Sequence, residues 1–118
     1  KTQRIGTNVF INCSSLREVT MPVVSEISKY SICENASLEV IDFGSPDLKT
    51  LDQVGNNNPK LREIHIPSGV TTITNSFNGA SSIEEIYVSA LTPPALSESF
   101  DGVLQGVVFY VPLLLPPI

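Results

Sequence analysis

The segment Pro59-Lys60-Leu61-Arg62-Glu63-Ile64-His65-Ile66-Pro67 recurs three times in altered form. Its counterparts are Ser14-Ser15-Leu16-Arg17-Glu18-Val19-Thr20-Met21-Pro22, Ala36-Ser37-Leu38-Glu39-Val40-Ile41-Asp42-Phe43-Gly44 and Ser81-Ser82-Ile83-Glu84-Glu85-Ile86-Tyr87-Val88-Ser89. The first apolar anchors, Leu16, Leu38, Leu61 and Ile83, are spaced 22, 23 and 22 residues apart. Each anchor is followed by apolar residues three and five positions on, such as Ile64 and Ile66 after Leu61. A self-similar period of this length marks a stacked repeat architecture.

Two further columns keep the register: Phe10, Ile32, Val54, Phe77 and Phe100, and more loosely Ile5, Ile27, Leu51, Ile73 and Leu96. A fifth, degenerate copy ends in Gly106-Val107-Val108-Phe109-Tyr110-Val111-Pro112. Apolar residues two apart at the end of each unit predict a short strand with one face inward. Pro22, Gly44 and Pro67 stop that strand. A 22-residue unit closes one turn of a solenoid whose equivalent strands stack into a parallel sheet, about 4.8 Å per step. The stretches around Phe10, Ile32, Val54 and Phe77 return as irregular or single-turn helical segments. The run Gly55-Asn56-Asn57-Asn58 marks a bulged turn where the repeat gains a residue.

Composition agrees with a folded chain. Of 118 residues, 42% are hydrophobic and 16% charged, which excludes the polar, highly charged profile of disorder. The longest apolar run, Leu113-Leu114-Leu115, is far below the roughly 18 residues of a membrane helix. Seven basic and twelve acidic residues give a net charge of −5. All of that excess falls in residues 63–118, which hold Glu63, Glu84, Glu85, Glu98 and Asp101 and no Lys or Arg. A chain without a basic face is a poor partner for nucleic acid.

The run Phe10-Ile11-Asn12-Cys13-Ser14-Ser15-Leu16 leading into a Pro-ended strand resembles the BspA-type leucine-rich repeat. Leu61 to Gly69 followed by Val70-Thr71-Thr72-Ile73 is similar to that family's most typical stretch, and Phe109-Tyr110-Val111-Pro112 to its closing strand. The resemblance implies a leucine-rich-repeat solenoid: a single domain over 1–118, about four full repeats of 22–23 residues plus a degenerate one at 95–118. It also implies a secreted or cell-surface bacterial protein, in a family that includes adhesins and has no catalytic motif. The chain departs from the family where Leu113-Leu114-Leu115-Pro116-Pro117-Ile118 replaces the usual polar helix. Uncapped ends and this apolar tail point to end-to-end or tail-mediated homodimerisation.

Alternation places two columns on the outward strand face: Glu18, Val40, Glu63, Glu85, Val108 and Thr20, Asp42, His65, Tyr87, Tyr110. In a curved solenoid this face is the concave surface used for partners. Its candidate binding residues are Glu18, Asp42, Glu63, His65, Glu85, Tyr87 and Tyr110. Tyrosine offers rigid contact area with a polar tip, although stacked tyrosines also serve as simple cross-strand pairs. His65 is the one histidine, so a hydrolase would use it with Glu63 or Glu85. No nucleophile elbow or phosphate loop accompanies it. Asp42, Glu63 and Glu85 lack the shaped loop of a hard-cation site, and neither a metal nor another cofactor is expected.

The column Arg17, Glu39, Arg62, Glu84 alternates in sign between adjacent coils and predicts register-setting surface pairs. Cys13 aligns with Asn35, Asn58 and Ala80 at a turn, as an inward thiol or an asparagine bonding loop backbone. Cys33 is offset from it, leaving a disulfide or two buried free thiols. The leading expectation is a non-catalytic module binding a host or microbial surface protein or glycan. Spacer repeats presenting another domain are the alternative.

Overall fold

The computed structural model describes residues 4–5, 9–21, 24–102 and 107–112. Ten short strands follow one another: β1 Arg4–Ile5, β2 Glu18–Thr20, β3 Glu26–Ile27, β4 Val40–Asp42, β5 Thr50–Asp52, β6 Glu63–Ile66, β7 Thr72–Thr74, β8 Glu85–Val88, β9 Ala95–Ser97 and β10 Val108–Tyr110. Every pairing is parallel. The repeated strand forms a five-stranded sheet in the order β10-β8-β6-β4-β2. Its register sets Val19, Ile41, Ile64, Ile86 and Phe109 in one row. All but Phe109 are buried, so the period-two alternation becomes the inner face of the sheet.

The return side is more regular than the irregular segments expected. Leu51, Ile73 and Leu96 form a second parallel ladder through β5, β7 and β9. Ile5 and Ile27 form a third through β1 and β3. The step from Ile27 to Leu51 is one or two residues longer than the others, and the two return ladders are separate there. No helix occurs among the described residues.

Between these sheets the backbone takes positive φ at alternate residues. Gln53, Gly55 and Asn57 do so in one coil, Asn75, Phe77 and Gly79 in the next, and Tyr30, Ile32 and Glu34 in the one before. Alternation turns successive N–H groups up and down the stack. Gln53 and Asn57 donate to Thr74 and Asn78 in the following coil, and Gly55 donates back to Ser31. Left-handed backbone costs an L-residue about 1–2 kcal/mol. Here the coil-to-coil hydrogen bonds offset it.

These bonds correct the sequence alignment at one point. Ile32, Gly55, Phe77 and Phe100 donate in turn to Val9, Ser31, Val54 and Ser76, so they are equivalent. Gly55, not Val54, stands in the aromatic column. A Cβ there would lie 2.5 Å from the Phe77 ring, which fills the space instead. Gly55–Asn58 therefore match Ile32–Asn35 one for one, and no residue is gained in that turn. Two residues are gained earlier, between Phe43 and Leu48, where five positions replace the three from Met21 to Val24, and one is lost between Leu51 and Gln53, where two positions replace the three from Ile27 to Tyr30.

Side chains repeat the ladder. Asn58 accepts from the Asn35 backbone N–H and donates to the carbonyls of Ile32 and Gly55. Asn35 does the same for Cys13 and Phe10. The Cys13 position is thus a backbone-bonding one wherever it carries asparagine. Both cysteines are free, Cys33 being buried and Cys13 half-buried. Burial raises the Cys33 thiol above its usual range. Pro22 and the tail Leu113–Ile118, invoked above for strand termination, capping and dimerisation, lie outside the described residues.

Two substitutions test this backbone. Asn58→Ala strands three buried backbone groups and is expected to cost about 2–4 kcal/mol by urea denaturation. Glu34 is exposed at φ 58, in the column that later holds Gly79 and Gly102. Glu34→Gly should stabilise by about 0.5–1 kcal/mol in the same assay.

Candidate functional site

The outward face of the five-stranded sheet carries the two expected columns. Glu18, Val40, Glu63, Glu85 and Val108 are in register, as are Thr20, Asp42, His65, Tyr87 and Tyr110. Strand spacing of about 4.8 Å falls within the range of about 4.5–7 Å between ring centroids in aromatic pairs. His65 and Tyr87 stack at 4.5 Å with 3° between their planes, and Tyr87 and Tyr110 at 4.5 Å with 11°. The sequence pointed to a tyrosine pair; the fold extends it to a three-ring ladder that includes the histidine.

Carboxylates of the adjoining column are tied into this ladder. His65 Nε2 lies 2.5 Å from Glu63 Oε2, and the Tyr110 hydroxyl donates to Glu85 Oε2 at 3.2 Å. Glu63 also meets Arg62 at 3.5 Å. Glu63 and Glu85 are directly opposite each other, an arrangement that repels. Their separate partners draw the two charges to different groups. Glu18 is further along the sheet, where it accepts from Thr20. Asp42 is next to His65 in register, and its side chain has no hydrogen bond or ion pair among the described residues.

The tyrosine phenols are pushed above the usual 10.0. For Tyr110 the hydrogen bond to Glu85 is the largest cause, followed by that carboxylate's charge. For Tyr87 partial burial leads, followed by the charge of Glu85.

The alternating-sign column is realised in part. Arg17 pairs with Glu39 at 2.9 Å and Arg62 with Glu39 at 3.4 Å. Hydrogen bonds from Arg62 and then Arg17 lower the Glu39 carboxyl. Glu84 has no such pair among the described residues, because Arg62 turns to Glu39 and Glu63 instead.

Sequence reasoning missed a cleft beside the ladder. About 290 Å³ in volume, it opens where the chain leaves β4, β6 and β8, with Asp42, His65, Ser68 and Ser89 among its lining residues. A visible signal was Pro-Ser after the strand at Pro67-Ser68, which sets a rigid turn with a hydroxyl at its edge. A larger cleft of about 460 Å³ lies where β8 and β10 face β9, lined by apolar side chains including Ile86, Leu96, Phe100 and Phe109. It lies at the end of the described stack. Leu96 and Phe109 are 54% exposed there, so equivalent positions that are buried in earlier coils face solvent in the last one.

A stack of parallel coils built from 22- or 23-residue units with buried Leu/Ile anchors is a leucine-rich-repeat solenoid. The sequence matches the BspA type leucine rich repeat region in six copies across residues 1–102, and the chain belongs to that family. No curated protein and no solved structure matches it. Among the described residues, no helix is long and apolar enough to cross a membrane.

The folded phenols hold their protons more tightly than ordinary tyrosines do. The stability this contributes is complete below pH 10.0 and is lost as pH rises through the raised values. Glu85→Ala should bring the Tyr110 titration down strongly and the Tyr87 titration less, read residue by residue from tyrosine ring carbon shifts. Equal movement of both would contradict the assigned causes.

Proposed function

We propose that the chain is a non-catalytic binding module of a secreted or cell-surface bacterial protein. It recognises a protein or glycan through the outward face of the five-stranded sheet. The observation that carries this reading is the ladder of His65, Tyr87 and Tyr110. Three rings are held in parallel on a face that contributes nothing to the core. Their positions are fixed by backbone register, so little conformational freedom is lost when a partner settles on them. Glu63 and Glu85 fix the two ends, and Glu18 and Asp42 extend the acidic character along the sheet.

Family membership supports the same reading, since repeat solenoids commonly use an extended sheet surface for partners. The pairing of His65 with Glu63 is well formed, but it is stacked under Tyr87 and is accompanied by no nucleophile in hydrogen-bond contact among the described residues. It therefore reads as part of the surface rather than as an acid–base pair.

The test is binding of the purified chain to arrays of extracellular matrix proteins and of host and microbial glycans, at low and physiological salt. A specific ligand is expected, with affinity reduced at least about tenfold in the Tyr87→Ala/Tyr110→Ala double variant, the loss of two anchor side chains. Circular dichroism should show that variant still folded. Unchanged affinity for the array ligand would overturn the site, and silence across the arrays would favour the spacer role.

A further inference from the structure

We propose that the 290 Å³ cleft at the ends of β4, β6 and β8 is a sugar-binding pocket that takes one neutral pyranose unit. It deepens the reading of this face as a binding surface and rests on that reading only for the nature of the larger partner. The pocket has its own chemistry, separate from the tyrosines.

Three features carry the assignment. The first is the mixture of groups at the rim. The Asp42 carboxylate, two acceptor oxygens without a hydrogen bond or ion pair among the described residues, is half-buried. The hydroxyls of Ser68 and Ser89 likewise have no partner there, and each can donate or accept. His65 uses Nε2 on Glu63 and has its second ring nitrogen without a described partner. Adjacent ring hydroxyls of a pyranose match the two oxygens of one carboxylate, and its remaining hydroxyls need partners that both give and take. A cationic side chain would use only acceptors.

The second feature is charge. Glu63, the carboxylate bonded to the lining His65, is already engaged by Arg62 as well. Asp42 is thus the one carboxylate lining the cleft, and the Lys49 ammonium already lies against the adjoining Gly69 turn, which suits a neutral polyol better than a guanidinium. The third is the wall. Phe43 and Ile66 form an apolar floor, and Pro46 and Pro67 stiffen the two turns. Those turns are drawn together at Gly69, where a Cβ would lie 2.1 Å from the Pro46 carbonyl oxygen. A rigid, partly apolar cleft near the lower end of ligand-pocket volumes fits the C–H face of one sugar ring.

The experiment is a titration of the full chain with the methyl glycosides of glucose, galactose, mannose and N-acetylglucosamine, and separately with arginine methyl ester, followed by amide chemical shifts. At least one glycoside should give saturable shifts centred on Asp42, His65, Ser68 and Ser89. Asp42→Asn should weaken that binding about tenfold or more, because a carboxylate is replaced by an amide that accepts at one atom. Ser68→Ala, on an exposed turn, provides a second variant should Asp42→Asn disturb the sheet. Saturable shifts with arginine methyl ester alone, no saturable shift with any glycoside, or glycoside binding indifferent to both variants would overturn the proposal. A protein ligand from the arrays that depends on the tyrosines, with the glycosides silent, would remove the pocket and leave the binding face standing. Glycoside binding without any tyrosine-dependent ligand would do the reverse.

Discussion

The hydrogen bonds that run from one coil to the next are what the rest of this molecule depends on. Each coil is too short to enclose a core, and its strands of two to four residues have no stability of their own. Stacking resolves both problems together. Backbone groups that would be buried without partners find them one coil above or below, and apolar anchors that would face solvent are covered by their equivalents. The alternating positive-φ segments extend this logic to the non-strand part of the coil, where N–H groups are aimed alternately up and down. Asparagine and serine side chains do the same where the backbone cannot reach. Asn35 and Asn58 form one such ladder, and Ser76 and Ser99 another, with Ser76 accepting from the Val54 N–H.

The same constraint creates the candidate site. Parallel in-register strands place identical positions of successive coils side by side, so a choice of side chain repeated in sequence becomes a continuous surface feature. On the inner face this makes a column of Val19, Ile41, Ile64 and Ile86. On the outer face it makes a stack of rings at 4.5 Å, without any need for the rings to find each other after folding. The price of ordering them is met by the backbone register. A partner of the proposed binding face would encounter an array that is already assembled.

Much of this was legible from residue spacing. Strand register follows from the anchors Leu16, Leu38, Leu61 and Ile83, because a one-residue slip would turn every inward side chain outward. The outward columns followed from the same alternation, including His65 between Ile64 and Ile66. The misplacement of Val54 has a clear physical origin. Both Val54 and Gly55 are buried, and an apolar column invites the valine, whereas the coil uses the missing side chain of Gly55 to seat the ring of Phe77. The second strand ladder was hidden because Thr50-Leu51-Asp52 and Thr72-Ile73-Thr74 each bury one residue, too few for alternation to show. The cleft was hidden for another reason. It is assembled from the turns after three strands, and the spacing that aligns strands leaves turn lengths free to vary.

That freedom also indicates where function can be written on such a chain. Inward positions are held to Leu, Ile, Val and Phe by packing, and the positive-φ and ladder positions are tied to the backbone. Outward strand positions and turns carry neither burden. Where they hold only solvated groups, as at Thr20, nothing beyond solubility is required of them. Three consecutive rings with carboxylates hydrogen-bonded at either end go further, since solubility alone would be met by any polar residue at 65, 87 and 110. A spacer needs only the inner face and the ladders. The outer face of β6, β8 and β10 carries aromatic surface and fixed charge beyond what solubility asks, and that surplus is the physical ground for the proposal that this side meets a partner.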